Sequence, residues 1–248
     1  MSLRNQVAEE FVVVRPHRDA MHAASDDLAA ALHFSPGTIW RAPANSNTRP
    51  LNLQPVLKRA LDLAIALPML ILCAPLLAVL ALIVFLDSGG PVLFLQTRLG
   101  RDGKSFNILK FRTMRVMENG DTVVQAREND CRITRSGKWM RATSLDELPQ
   151  LINVIAGEMS LVGPRPHARA HDLHYSGAIA AYNLRQAVKP GITGWAQVNG
   201  YRGETPRLED MRARVDLDVW YVRNANLALD LKILLRTPLA VFSARNAH

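Results

Sequence analysis

The sequence predicts an α+β chain that is mostly helical and attached to a membrane, and three observations carry this. From Leu63 to Leu86 there are 24 residues without a charge. Four further stretches, Ser136 to Glu158, His167 to Val188, Arg207 to Arg223 and Leu227 to Phe242, have helical spacing. The hairpin signal, Asp102-Gly103, lies between two short runs, so the β structure is a small hairpin element and not a main sheet.

Residues 1–50 alternate charged, small and polar residues and read as a mobile or loosely docked N-terminal extension. No basic stretch followed by an apolar one stands near Met1, so no signal peptide is expected. Residues 51–90 carry the apolar segment LKRALDLAIALPMLILCAPLLAVLALIVFLDSGG. At about 1.5 Å per residue its uncharged run is long enough to cross a bilayer as one helix. Lys58 and Arg59 precede the run, however, while Arg98, Arg101, Lys104, Lys110, Arg112 and Arg115 follow it, so both flanks have the composition of a cytoplasmic side. Pro75 divides the run into Leu63 to Ala74 and Pro75 to Leu86, and each half reaches only about 18 Å. That suits a kinked, re-entrant helix, whose freed backbone groups need partners. A proline-kinked spanning helix and a buried core helix of a soluble protein remain open on composition alone.

Residues 91–248 read as one further domain, the part that carries the chemistry considered below. PVLFLQTRLGRDGKSFNILKFRTM forms two short strands around a turn, and KPGITGWAQVNGYRGET, residues 189–205, is a long glycine-rich loop of the kind that carries function in a compact domain. The stretch Leu227 to Phe242 is apolar on one side with Lys232 and Arg236 on the other, the pattern of a helix lying on a membrane surface or closing a core.

Lys plus Arg exceed Asp plus Glu by 30 to 22, and the net charge of +8 implies an anionic partner: nucleic acid, acidic lipid or a phosphorylated substrate. Cys73 and Cys131 form no metal-binding or disulfide pattern, which fits a reducing compartment. Chemistry concentrates at TSLDELPQLINV. Ser144 and Glu147 have capping-box spacing, yet Pro149 sits best at the first helical position, leaving Asp146 and Glu147 at or just before a helix start. Unpaired N–H groups and the helix dipole favour anions there, and two carboxylates beside a phosphate call for a cation such as Mg²⁺, held by one or two carboxylates and phosphate oxygens. One carboxylate can then hold metal while its neighbour attacks phosphorus. A structural cap and a catalytic dyad both remain open. Lys110, Arg112, Arg141 and Arg165 could converge on the pair and bind a diphosphate, and the prolines flanking Arg165 fix its backbone. His167, His171 and His174 share helical spacing, which a polar helix face explains as well as a metal site does. Trp195, Asn199 and Tyr201 could bind a nucleobase or simply pack the loop.

Taken together, LKRALDLAIALPMLILCAPL, ILKFRTM, RATSLDELPQLINVIAGEMSLVGPRP and VKPGITGWAQVNGYRGET strongly resemble the bacterial sugar transferases known as monotopic phosphoglycosyl transferases, over about Leu57 to His248. The resemblance implies a monotopic membrane protein with a re-entrant kinked membrane helix, surface-lying amphipathic helices and a site at the cytoplasmic face of the bacterial inner membrane. It implies transfer of a sugar-1-phosphate from a UDP-sugar to undecaprenyl phosphate, with release of UMP. It makes Asp146 the nucleophile of a phosphosugar intermediate, Glu147 the Mg²⁺ ligand, and Lys110, Arg141, Arg165 and Arg202 phosphate-binding residues. Pro75 matches the helix-breaking proline, although Ala74 stands where the family's best-known examples have serine. PHARAHDLHY and WAQVNGYRGET resemble most the branch that begins exopolysaccharide or capsule repeat units with glucose-1-phosphate. That branch usually carries spanning helices and a soluble domain ahead of the core, whereas the expectation for this chain is a core-only enzyme. Glucose is the expected sugar, with galactose or an N-acetylated sugar as the alternative.

Two other classes are weighed. A membrane-tethered nucleic-acid-binding protein explains the positive charge but needs no Asp-Glu pair, so nucleic acid is not an expected partner. A membrane-associated nucleotide-sugar hydrolase uses the same acidic pair with water as acceptor. Anionic membrane lipids are expected partners, as is a homodimer through the apolar faces.

Overall fold

The computed structural model describes residues 53–115 and 130–242, so the expected extension over residues 1–50 lies outside the described residues. Helix α1, Gln54–Ser88, begins with Pro55 in its first turn, where a missing N–H costs nothing, and runs as one element through both Pro68 and Pro75. The expected division into two separate halves at Pro75 is therefore not seen. Each proline removes one backbone donor, and the apolar residues on either side continue the helical hydrogen-bond ladder past the loss. α1 is long and apolar enough to cross a membrane. Ile71 and Leu72, near its middle, are 75% and 81% exposed.

Both ends of α1 are tied to the rest of the protein by charged and polar groups. At the N-terminal end, Lys58 Nζ meets Asp230 Oδ2 at 2.7 Å and the Val162 carbonyl at 3.1 Å, and Arg59 donates to the carbonyls of Val154 and Ile155. Asp62 is buried and accepts from Ser160 Oγ and the Leu161 N–H, both at 3.0 Å. At the C-terminal end, Asp87 accepts from the N–H and Oγ of Ser136, both at 2.7 Å. Ala66 belongs to the main core with Phe106, Leu151 and Ile233, whereas Leu80 and Val84 pack a second core with Phe111 and Met140. Between the two docked ends the helix presents apolar surface outward.

Strands β1, Leu93–Leu99, and β2, Ser105–Phe111, pair antiparallel, with Phe94 opposite Lys110. The turn between them places Asp102 and Gly103 at φ 57° and 73°, the left-handed geometry that Asp-Gly tolerates. The stretch expected as one helix from Ser136 to Glu158 is divided into α2, Arg135–Thr143, a 3₁₀ turn at Leu145–Glu147, and α3, Gln150–Ala156. Thr134 caps α2 by accepting from the Gly137 N–H, Ser144 ends it at φ 60°, and Pro149 occupies the N-cap of α3. A left-handed residue and a proline five positions apart leave no room for a continuous helix.

Beyond α3 the chain forms β3, Ser160–Val162, and α4, Arg169–Ala178. A 3₁₀ stretch follows at Tyr182–Ala187, so the expected helix from His167 to Val188 is broken at the extended residue Ile179. The glycine-rich loop holds β4, Gly191–Thr193, which pairs parallel with β3, and the short α5, Trp195–Val198. Helices α6, Leu208–Asn224, and α7, Leu227–Phe242, match their expected spans. Helix α7 buries Leu229 and Ile233 in the main core and turns Leu231, Leu235 and Leu239 outward.

Candidate active site

Asp146 and Glu147 lie in the 3₁₀ turn between α2 and α3, and both are buried. The left-handed Ser144 reverses the chain after α2, and the Ser144 carbonyl accepts from the Glu147 N–H at 3.1 Å, which closes the turn. The capping-box reading is overturned: Glu147 does not reach back to Ser144, because its carboxylate is taken by cations. Lys110 Nζ, from β2, donates to Glu147 Oε1 at 2.9 Å. Arg165 forms a fork, with Nη1 on Oε2 at 3.0 Å and Nη2 on Oε1. A bidentate guanidinium–carboxylate pair is the strongest common form of such a contact. Asp146, by contrast, accepts no hydrogen bond among the described residues.

This asymmetry separates the two carboxyl groups. Burial raises the proton affinity of Asp146, and the neighbouring Glu147 charge raises it further; Lys110, Arg141 and Arg165 oppose this only in part, leaving it at about 6. Burial would also raise Glu147, but Arg165 and Lys110 outweigh it and hold that group well below the usual carboxylate range. Lys110 is itself pushed down by burial, against the pull of Glu147. Near neutral pH Glu147 is thus a fixed anion, while Asp146 is an ionisable group that accepts no hydrogen bond among the described residues and is held among cations.

The sequence-predicted residues divide accordingly. Lys110 and Arg165 contact the pair directly, and Arg141 lies within electrostatic range of Asp146. Arg202 lies within range of Glu147, Arg165 and Asp146, with its Nη1 buried and unpartnered. Arg112 is turned elsewhere: it donates to Ser88 Oγ at 2.7 Å and to the Gly89 carbonyl, closing the C-terminus of α1. Pro75 lies in the exposed middle of α1, away from both docked ends. The three histidines do not form one ligand face. His167 Nδ1 lies 2.6 Å from the Tyr182 hydroxyl and 2.7 Å from Arg185, whereas His171 and His174 meet Tyr175 edge-on. Trp195 stacks on Trp220 with ring centroids 4.9 Å apart and faces Lys232 and Arg236, and the Asn199 amide bonds the Trp195 carbonyl at 2.7 Å, so both pack the loop.

Sequence reasoning missed Arg98, Arg185, Arg214 and Asp218, all drawn close behind Arg165. Arg214 donates to the Gly203 carbonyl and so braces the loop bearing Arg202. On a helical stretch or a short strand such charges read as solvated, and no local signal marks them as buried.

Among the described residues, no group of three or more His, Cys, Asp and Glu side chains could hold a metal by protein ligands alone. Mg²⁺ needs no such cage, since one or two carboxylates suffice when phosphate and water supply the remaining oxygens. Among the described residues Glu147 Oε2 accepts one hydrogen bond, from Arg165, which leaves it a lone pair for the ion, so Glu147 fits it.

The family model for bacterial sugar transferases matches residues 53–244. A UDP-glucose:undecaprenyl-phosphate glucose-1-phosphate transferase from Escherichia coli is 52% identical over 193 residues, covering 78% of this chain and 42% of that protein. The protein of the same name from Caulobacter vibrioides is 51% identical over 191 residues, covering 77% of this chain and 72% of that protein. A UDP-N-acetylgalactosamine-undecaprenyl-phosphate N-acetylgalactosaminephosphotransferase from Aeromonas hydrophila is 40% identical over 193 residues, covering 76% of this chain and 45% of that protein. The chain spans less than half the length of the Escherichia coli and Aeromonas relatives. It belongs to the bacterial sugar transferase family.

Proposed function

We propose that this member of the bacterial sugar transferase family moves a hexose-1-phosphate from a UDP-sugar to undecaprenyl phosphate, through a covalent intermediate on Asp146, as the first step of exopolysaccharide or capsule repeat-unit assembly. Glucose is the proposed sugar, supported by the glucose-specific names of the relatives that are about half identical, with galactose or an N-acetylated sugar as the alternative. The observation that carries the reading is the split within the pair: one carboxylate locked by Lys110 and Arg165, and its neighbour unbonded among cations.

In the first half-reaction an Asp146 oxygen attacks the phosphorus bearing the sugar, the bond from that phosphorus to the bridging oxygen breaks, and UMP leaves with the electron pair. In the second, a phosphate oxygen of the lipid acceptor attacks the same phosphorus, the bond to Asp146 breaks, and the carboxylate is restored. A proton affinity near 6 leaves Asp146 mostly ionised at pH 7 yet a better nucleophile than an ordinary carboxylate. Arg165 and Lys110 hold Glu147 in place, and Arg141 and Arg202 offer positive charge to the diphosphate and to UMP as it departs. Mg²⁺, held by Glu147 when bound, would supply further neutralisation of the phosphate oxygens.

The same reading makes the protein monotopic, with α1 re-entering the cytoplasmic leaflet of the inner membrane. From Asp62 to Asp87, the clamps at its two ends, a straight helix extends about 38 Å, more than the roughly 30 Å of hydrocarbon. Both clamps grip elements that converge on one site, Ser160 and Leu161 at one end and Ser136 at the other. A spanning helix would pull that polar body into lipid.

Incubation with UDP-glucose and Mg²⁺ without acceptor is expected to release about one UMP per protein and to leave a hexose-phosphate mass on the peptide containing Asp146. An unmodified peptide from protein that transfers normally once undecaprenyl phosphate is added overturns the covalent route. Continuous UMP release without acceptor indicates hydrolysis instead.

A further inference from the structure

Directly behind Arg165 lies a buried ion pair that the proposed chemistry does not touch. Arg185 and Asp218 are 4% and 2% exposed. Arg185 Nε and Nη2 donate to Asp218 Oδ2 at 3.1 and 2.8 Å. The same Nη2 also donates to the backbone carbonyl of Arg165 at 2.5 Å, while Nη1 reaches His167 Nδ1 at 2.7 Å. Arg98 completes the arrangement by donating to the Pro166 carbonyl at 3.2 Å. Three successive residues, Arg165 to His167, are thus held by two guanidinium groups.

A buried ion pair brings little net stability over apolar side chains of the same volume, so this one calls for another role. Arg165 has a long side chain that must present both Nη atoms to one carboxylate, and the direction of such a fork depends on where its backbone is fixed. Pro164 and Pro166 restrict the torsions on either side. They do not anchor the peptide in space, whereas a charged donor on the Arg165 carbonyl does. Burial, and then the charges of Arg185, Arg214 and Arg98, hold His167 well below its usual range, so it is neutral and free to accept from Arg185.

We infer that Arg185, locked by Asp218, is a positioning residue that aims the Arg165 guanidinium at Glu147 through the Arg165 backbone carbonyl. This rests on the reading of the Asp146–Glu147 pair as the catalytic site.

The test measures UMP release by the full chain in detergent with UDP-glucose, Mg²⁺ and undecaprenyl phosphate, for Arg165→Ala, Arg185→Lys and the double variant. Arg185→Lys keeps the charge but loses the fork. It is expected to lower kcat about 10- to 100-fold, the scale of a displacement of about 1 Å at a catalytic group, with KM for UDP-glucose changed less than about threefold. The double variant is expected to be no more than about twofold slower than Arg165→Ala alone, because the route through Arg165 is already gone. Should Arg185→Lys fail to fold, Asp218→Asn, which loosens Arg185 at constant volume, enters the same cycle. Wild-type kcat in both variants overturns the inference, as do losses that multiply with that of Arg165→Ala. Wild-type turnover in Arg165→Ala overturns the reading of the site, and the inference with it.

Discussion

Replacing Asp146 by asparagine is expected to make the protein more stable at neutral pH while abolishing transfer. The folded state raises this carboxyl from its ordinary 3.8 to about 6, first by burial and then by the charge of Glu147. A group whose affinity for protons is raised on folding favours the folded state fully below the unfolded value and loses that advantage as pH rises through the folded one. At 1.36 kcal/mol per pH unit the difference is roughly 3 kcal/mol, which the wild type forgoes above about pH 6 and the amide does not. For a chain of this size that is about 6 to 12 °C in the unfolding midpoint. The assay is thermal unfolding of both proteins in one detergent, by intrinsic fluorescence, from pH 4 to pH 8. The midpoints should nearly coincide at pH 4, separate between pH 4 and 6, and stay apart above, with Asp146→Asn the higher. An amide variant equal to or less stable than wild type at pH 7.5 refutes the claim that the aspartate is held in a site hostile to its charge.

The neighbouring carboxylate behaves oppositely. Glu147→Gln leaves Lys110 and Arg165 facing each other without their anion and should cost about 3 kcal/mol, seen as a lower midpoint at pH 7.5; an unchanged midpoint would mean that the fork seen here contributes nothing. For the membrane segment, cysteines introduced singly at Gln54 and Gly90, with Cys73 and Cys131 replaced, should both react with an impermeant maleimide in inverted inner-membrane vesicles and in neither case in intact cells. Opposite accessibility of the two positions would establish a spanning helix.

How much of this was legible in the sequence depends on how local each signal is. The hairpin, α6 and α7 follow from short-range patterns, and the position of the acidic pair before a helix follows from Pro149. The parallel pairing of β3 with β4 did not, because three residues on each strand leave no period to read and the two strands lie about 30 residues apart in sequence. Lys110 and Arg112 illustrate the same limit. Two residues apart, they would share one face of a strand, but β2 ends at Phe111, and Arg112 beyond it turns to the carbonyl end of α1. The ion pair of Arg185 and Asp218 was invisible for the complementary reason: a charge on a helical stretch reads as solvated until the fold covers it.

The distribution of buried charge ties these points together. Lys110, Arg141, Arg165 and Arg202 lie around Asp146 and Glu147, and this part of the protein is rich in positive charge. Arg98 and Arg214, just behind, are each pushed down to about 10 by burial and then by the positive charge of Arg165, so the crowding of cations extends beyond the site itself. A stable apolar core would not be built this way, since each uncompensated buried charge costs several kcal/mol. On the proposed function, a diphosphate entering the site lowers that cost by adding negative charge, and its binding free energy then includes the relief of repulsion among the arginines. On the same proposal Asp146 is what turns such an anion site toward chemistry: without it the cations would bind a nucleotide sugar, and with it they would hold phosphorus beside a carboxylate that accepts no hydrogen bond among the described residues.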